Sequence, residues 1–217
     1  MSIRVIIADD QDIVRAGLVT ILNGQAGIEI IGQAANGREA VAMAQRLRPD
    51  VCLFDIRMPE LDGIEATRQL AGADVDDPIP VVVITTFDTD SHIYGALKAG
   101  ARGFLLKGAK PDQLIAAIHA AFHGDALIDP SVTSRLLHRL SQGEPQVEPV
   151  QPAGQLTDRE EDVLLVVARG KTNAEIAALL NISLSTVKFH VASLLTKLAA
   201  RNRVELALWA YETRRTR

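Results

Sequence analysis

Val51-Cys52-Leu53-Phe54-Asp55-Ile56-Arg57-Met58-Pro59 is an apolar run that ends on a carboxylate and is soon closed by proline. Four or five apolar residues bounded by turn chemistry suit a short strand buried on both faces, the habit of a parallel sheet. Asp55 then stands at the carboxyl end of that strand, the edge of an open parallel sheet where ligand sites form. It is read as the residue that receives a signal.

The same pattern repeats on either side of this stretch. Apolar strands at Arg4 to Ala8, Ile28 to Ala34, Val81 to Thr85 and Phe104 to Leu106 alternate with helical periodicity. Those helices fall at Ile13 to Leu22, Glu39 to Leu47, Gly63 to Leu70, Ser91 to Ala99 and Pro111 to His123. Five strands alternating with five helices predict an α/β doubly wound, five-stranded parallel sheet of order 2-1-3-4-5 with right-handed crossovers. Beyond Gly124, Asp129-Pro130-Ser131 offers an N-cap with proline in the first turn, so a helix is expected to about Leu140. From Ser141 to Gly154 three prolines and no apolar period mark an extended linker.

The remainder reads as four short helices without strands. Thr157-Asp158-Arg159-Glu160 is a capping box leading into an apolar face of Val163, Leu164, Val167 and Ala168. Asn173 is expected to cap a second helix through Leu180, and Asn181-Ile182-Ser183 to turn the chain into a third, from about Leu184 to Leu198. A fourth runs from about Arg203 towards Arg214. The chain thus divides into a sheet domain at 1–125, a linker helix and extended linker at 126–154, and an all-α four-helix domain at 155–217.

Composition limits the function classes. With 47% apolar residues spread through short periodic segments, no unbroken run is long enough to span a bilayer, so no membrane partner is expected. Met1 to Asp10 enters a strand and meets acidic residues, unlike a signal peptide. The single cysteine, Cys52, lies in a buried strand and fits a reducing cytoplasm. The net charge of -4 hides an asymmetry: residues 154–217 hold 10 Lys and Arg against 7 Asp and Glu, whereas residues 1–153 hold 13 against 20. A basic module joined to an acidic one suggests a nucleic-acid partner for the former.

Asp9 and Asp10 close the first strand and Asp55 the third, which are neighbours at the switch point of such a sheet. Three clustered carboxylates repel one another unless a hard divalent cation joins them, for which Mg²⁺ is the best match. Thr85 and Lys107 end the fourth and fifth strands, bringing a hydroxyl and a cation to the same edge. The set suits phosphoryl transfer, with Asp55 as nucleophile, Lys107 neutralising charge and Thr85 donating a hydrogen bond. Taken singly, an acidic pair after a strand is more often a solvated turn or a cap, the role expected of Asp12, and a strand-end lysine is usually just solvated. Five such residues at the ends of different strands outweigh that reading. No phosphate-binding glycine loop is present, so the phosphoryl donor comes from another molecule.

Residues 1 to about 125 resemble the receiver domain of two-component response regulators. The resemblance rests on Ala8-Asp9-Asp10, on Asp55 to Pro59 with Asp62-Gly63, on Pro80 to Thr86, and on Ala99 to Lys107. It implies a sensor histidine kinase as donor and Asp55 as phosphoacceptor. Mg²⁺ would be held by Asp10, Asp55 and the backbone carbonyl of Arg57, with Asp9 assisting. It further implies a switch in which Thr85 turns inward and the aromatic Phe104 follows. Two departures are Phe104, without the hydroxyl of a tyrosine, and Lys107-Gly108, where many receivers carry Lys-Pro with a cis peptide.

In the third helix of the all-α domain, Val187, Val191, Leu194 and Leu198 form one buried stripe, while Ser185, Lys188, Phe189, Ala192 and Thr196 project elsewhere. That division is what major-groove insertion requires, and a plain helical bundle would also produce it. Residues 156 to about 211 resemble a LuxR-type helix-turn-helix, through Leu156 to Glu160, Gly170 to Ala177, Leu180 to Ser183, Ser185 to Val191 and Lys197-Leu198. By position the resemblance makes Asn173 to Ala192 the helix-turn-helix, Lys188 and Phe189 the base-edge readers, and Thr172, Ser185, Thr186 and Lys197 the phosphate holders. Many relatives have lysine where this chain has Ala192, so the operator is its own. The fourth helix, with Val204, Leu208 and Trp209, would pair two copies over an inverted repeat of double-stranded DNA.

Together these features read as a cytoplasmic, NarL-type transcriptional regulator that forms a homodimer when phosphorylated. Before phosphorylation, the acidic domain is expected to cover the recognition helix. A Mg²⁺-dependent phosphatase using Asp55 is the enzyme alternative, but Arg57 stands where its general acid would be, and no enzymatic turnover is expected. A scaffold without phosphorylation is argued against by the intact five-residue edge. His119 and His123 have i, i+4 spacing but no third zinc ligand, and are expected to face solvent. His190 either donates to a phosphate or packs on the preceding helix.

Overall fold

The computed structural model describes residues 2–86, 89–128, 156–169, 171, 173–200 and 202–213. It divides into two compact units, Met1–Thr133 and Ser134–Arg217.

In the first unit the strands are β1 (Ile3–Ala8), β2 (Ile28–Ala34), β3 (Val51–Phe54), β4 (Val81–Thr85), β5 (Gly103–Leu106) and β6 (Leu127–Ile128). The helices are α1 (Asp12–Asn23), α2 (Gly37–Leu47), α3 (Gly63–Ala71), α4 (Asp90–Lys98) and α5 (Pro111–Phe122). All strand pairs are parallel, in the order β2-β1-β3-β4-β5-β6. The predicted order of the first five strands holds, but the sheet has six strands rather than five. The addition is a two-residue pairing, Gly103 beside Leu127 and Phe104 beside Ile128. So short a strand has no period of its own, and only the free edge of β5 makes it one.

The inner strands β1, β3, β4 and β5 are largely apolar because both faces are covered, whereas the edge strand β2 carries exposed Glu29 and Gln33. Val5, Ile7, Val51, Leu53, Val82, Ile84 and Leu105 pack with Leu18 and Leu22 of α1 and Leu114 and Ile118 of α5. Alternation along a strand sends Ile6, Phe54, Val83, Thr85 and Phe104 to the opposite face, where each is buried. Asn36 and Asp62 cap α2 and α3, accepting the amides of Glu39 and Glu65. Asp12, expected to cap α1, instead lies inside its first turn and pairs with Arg15, the N-cap being Gln11.

The second unit holds α6 (Asp158–Ala168), α7 (Asn173–Leu180), α8 (Leu184–Lys197) and α9 (Arg203–Glu212). Their core comprises Val163, Leu164, Val167, Ile176, Val187, Val191, Leu194, Leu198, Leu206 and Trp209. Between α7 and α8 the chain turns by 110°, within the range of a helix-turn-helix. Asn181 makes that turn in the left-handed region, φ 52°, which asparagine tolerates better than most residues. Ser183 then caps α8 by accepting the Thr186 amide.

No single helix among the described residues is long and apolar enough to cross a membrane. The helix expected after Asp129 and the linker to Gly154 lie outside the described residues, as does Thr172.

Candidate functional site

The sheet ladder assembles the acidic centre. Asp55 donates its amide to the Ala8 carbonyl at 2.8 Å, Asp9 to Ala34 at 3.2 Å and Lys107 to Thr85 at 2.8 Å. One carboxyl edge therefore carries Asp9, Asp10, Asp55, Thr85 and Lys107, the five residues expected there. One carboxylate oxygen from each of Asp9, Asp10 and Asp55 lies within 4.8 Å of the others. Asp9 and Asp55 are buried and Asp10 is exposed, so the cluster opens to solvent on one side.

Lys107 Nζ lies 2.7 Å from Asp9 Oδ2 and 2.7 Å from Asp55 Oδ2. It donates a hydrogen bond to Asp55. Asp9 Oδ2 lies out of line for a good hydrogen bond, so the contact is an ion pair and the oxygen is buried without a donor aligned on it. Burial raises the Asp9 pKa, outweighing Lys107 and the Gln11 amide, which lower it. Burial pulls the Lys107 ammonium down, yet Asp55 and Asp9 together hold its pKa above the ordinary lysine value. Asp55 Oδ1 accepts the Ile56 amide at 2.7 Å.

The loop that follows Asp55 is fitted by two glycines. A Cβ on Gly63 would strike the Asp55 carbonyl oxygen, and one on Gly37 would strike that of Leu61. Gly63 also donates its amide to Ile56 at 2.8 Å. The Asp62-Gly63 pair thus fixes the path of residues 56–62, while the role of Gly37 is not visible in the sequence. A cavity at this edge is lined by Asp10, Ile56, Arg57, Met58, Pro59, Asp62, Ile64 and His92. His92, whose Nδ1 is buried without a hydrogen bond, went unmarked because a lone histidine at a helix start has no spacing signal.

Thr85 and Phe104 are buried on the same sheet face, with Phe104 beside Val83 and Thr85 beside Leu106. Among the described residues no peptide bond is cis, including that of Lys107-Gly108.

In the second unit, α8 has two opposed faces. Val187, Val191, Leu194 and Leu198 are buried, and Ser185, Lys188, Phe189, Ala192 and Thr196 are exposed, as their spacing predicts. Thr186, expected to hold a phosphate, is half-buried and supplies the amide that Ser183 caps. Three further residues of this unit have surroundings that their spacing does not show. Asn173 is only 3% exposed and begins α7 rather than capping it; its Oδ1 accepts from the buried Arg203 at 3.2 Å. Lys197 Nζ lies 2.7 Å from the buried Glu160, which commits its charge within the unit. Trp209 is 7% exposed and packs in the core of this unit; the side chains of Val204 and Leu208 lie outside the description.

Glu160 anchors this unit. Its carboxylate accepts from the Thr157 amide at 2.8 Å, Ser193 Oγ at 2.7 Å and Lys197 Nζ at 2.7 Å. Burial works to raise its pKa, but Lys197, the Thr157 amide and Ser193 outweigh burial and hold it at about 2. His119 is half-buried and His123 exposed, and neither belongs to a metal-holding cluster among the described residues. His190 is half-buried and stacks edge-to-face with Phe189, with ring centroids 5.6 Å apart.

A parallel sheet with a carboxylate cluster on its carboxyl edge, followed by a separate helix-turn-helix unit, defines a receiver-type regulator of transcription. Residues 5–119 match the response regulator receiver domain, and residues 154–210 match the luxR family of bacterial regulatory proteins. Over 209 residues the chain is 40% identical to transcriptional regulatory protein LiaR of Bacillus subtilis (strain 168), covering 96% of this chain and 97% of that one. It is 35% identical to response regulator protein VraR of Staphylococcus aureus (strain Mu3), with 98% of each covered. Among solved structures, response regulator ChrA of a heme-sensing two-component system matches at 37% identity and TM-score 0.54, covering 98% of both chains. An RcsB–DNA complex matches at 25% identity and TM-score 0.57, covering 98% of this chain and 99% of that one. The chain belongs to the two-component response regulators with a LuxR-type DNA-binding domain and is a transcriptional regulator.

Proposed function

We propose that Asp55 accepts a phosphoryl group from the phosphohistidine of a sensor kinase, and that this gates dimeric binding of the second unit to inverted-repeat DNA. The observation that carries the reading is the convergence of Asp9, Asp10 and Asp55 on one sheet edge, with Lys107 Nζ 2.7 Å from both Asp9 and Asp55. A carboxylate oxygen of Asp55 bonds to phosphorus as the P–N bond breaks and the imidazole leaves with a proton. Lys107 offsets charge on the phosphoryl oxygens, and Thr85 donates to one of them. Phe104, buried on the same face, follows Thr85.

Asp9, Asp10, Asp55 and the Arg57 carbonyl would hold Mg²⁺, which offsets the charge of the transferring phosphoryl group when bound. The donor set fits: all are oxygens, and buried Asp9 Oδ2 has no aligned donor. Functionally, the chain divides into a receiver at 1–125, a linker at 126–154 and a DNA-binding domain at 155–217. Lys188 and Phe189 read base edges, Ser185 and Thr186 meet phosphates, and α9 pairs the two copies. With its unpaired Cys52 buried, the chain works in the cytoplasm, and it releases no turnover product.

Selection of bound duplexes from a random DNA pool, with and without Mg²⁺ and beryllofluoride, tests this. An inverted repeat enriched only with the phosphoryl mimic is expected. Equal enrichment without it removes Asp55 as the gate, and no enrichment removes DNA as the partner.

A further inference from the structure

The exposed face of α8 carries an aromatic ring that the fold does not use. Phe189 is 69% exposed, although its neighbours Val187 and Val191 are buried. At 100° per residue, Ser185, Lys188, Phe189, Ala192 and Thr196 fall within one strip about 100° wide, opposite the buried stripe. That strip holds one ammonium, two hydroxyls, a methyl and a phenyl ring. Lys197, the other lysine of α8, is turned away onto Glu160. The ring of His190 meets Phe189 edge-on at 69°, which limits how far the phenyl ring swings.

A face with this composition is poorly equipped to read bases by hydrogen bonds alone. Phenyl and alanyl groups have no donor or acceptor, and in the major groove their apolar counterpart is the C5-methyl of thymine. Lys188, one residue before Phe189, pairs best with the O6 and N7 acceptors of guanine. We infer that Phe189, with Ala192 beside it, reads thymine methyl groups, so that each half-site carries thymine next to the guanine met by Lys188. The inference rests on the DNA-binding reading above and names the chemistry of its ligand.

The test uses the full-length protein and the inverted repeat recovered by selection, with thymine replaced by uracil one position at a time. Uracil lacks only the methyl group, and the protein is unchanged, so folding does not enter. Burying one such group is worth about 0.8 kcal/mol, so uracil at the position under Phe189 should weaken binding about fourfold. The Phe189→Ala protein should bind the thymine duplex more weakly and show no uracil effect at that position. Equal binding of thymine and uracil duplexes by the unaltered protein overturns the inference while leaving DNA binding intact. A uracil effect that persists in Phe189→Ala also overturns it. Failure of the protein to bind any selected duplex removes the DNA-binding reading and this inference with it.

Discussion

Buried charges decide both units at the level of single residues. Asp10 is the exposed member of the carboxylate cluster and stands apart from the Lys107 pairing, so without a cation it contributes mainly repulsion. Asp10→Asn is therefore expected to raise the stability of the first unit in chelator by about 0.5 kcal/mol. Excess Mg²⁺ is expected to raise the melting temperature of the unaltered protein and Asp10→Asn to abolish that rise, as calorimetry in the two buffers would register. Glu160 works the other way, because its folded pKa of about 2 lies below the ordinary 4.5. Its stabilisation is complete above pH 4.5 and is lost as the pH falls through the folded value. Glu160→Gln should cost about 2 kcal/mol at neutral pH, by removing the charge that faces Lys197 and replacing one of the two acceptor oxygens with an amide donor. The gap between the two proteins should close as pH is lowered from 4.5 towards 2; a constant gap in urea midpoints would refute the assignment.

Elements whose signals are local were legible in the sequence, and those fixed by distant partners were not. The strands β1, β3, β4 and β5 are largely apolar runs because helices cover both of their faces, and the polar residue at the carboxyl end of each marks the site edge. The Thr157 capping box was equally plain, since donor and acceptor are three residues apart. The partners of Asn173 and Lys197 were not legible because Arg203 and Glu160 lie 30 and 37 residues away. Charge spacing along one helix carries no trace of such pairs. β6 was missed because an edge, not a pattern, creates it. Gly63 was legible as a motif member, but the reason for it is packing: a side chain there meets the Asp55 carbonyl. Gly63→Ala should destabilise the first unit by about 2 kcal/mol in urea unfolding and weaken Mg²⁺ binding, because the loop bearing the Arg57 carbonyl must move. An unchanged unfolding midpoint would mean that the loop yields freely.

For the whole molecule, the proposed function requires two copies to meet two half-sites at once. A basic last third joined to an acidic remainder favours approach to DNA by the second unit, and the attraction should weaken steeply with salt. Charge alone sets no register. If α9 pairs two copies over an inverted repeat, the distance between recognition helices is fixed by protein, and the half-sites must lie on one face of the duplex. Inserting about 5 base pairs between them rotates one half-site to the opposite face, whereas about 10 base pairs restores the face but stretches the span. With beryllofluoride and Mg²⁺ present, the half-turn insertion should lower affinity at least about tenfold, the loss expected when one half-site is forfeited. Asp55→Asn should bind weakly and show little dependence on spacing, since it is not driven to dimerise. Electrophoretic mobility shifts over a spacer series would measure both. A phosphoryl-mimicked protein indifferent to spacing would show that the second units bind as independent monomers, and α9 would then lose its role as the pairing element.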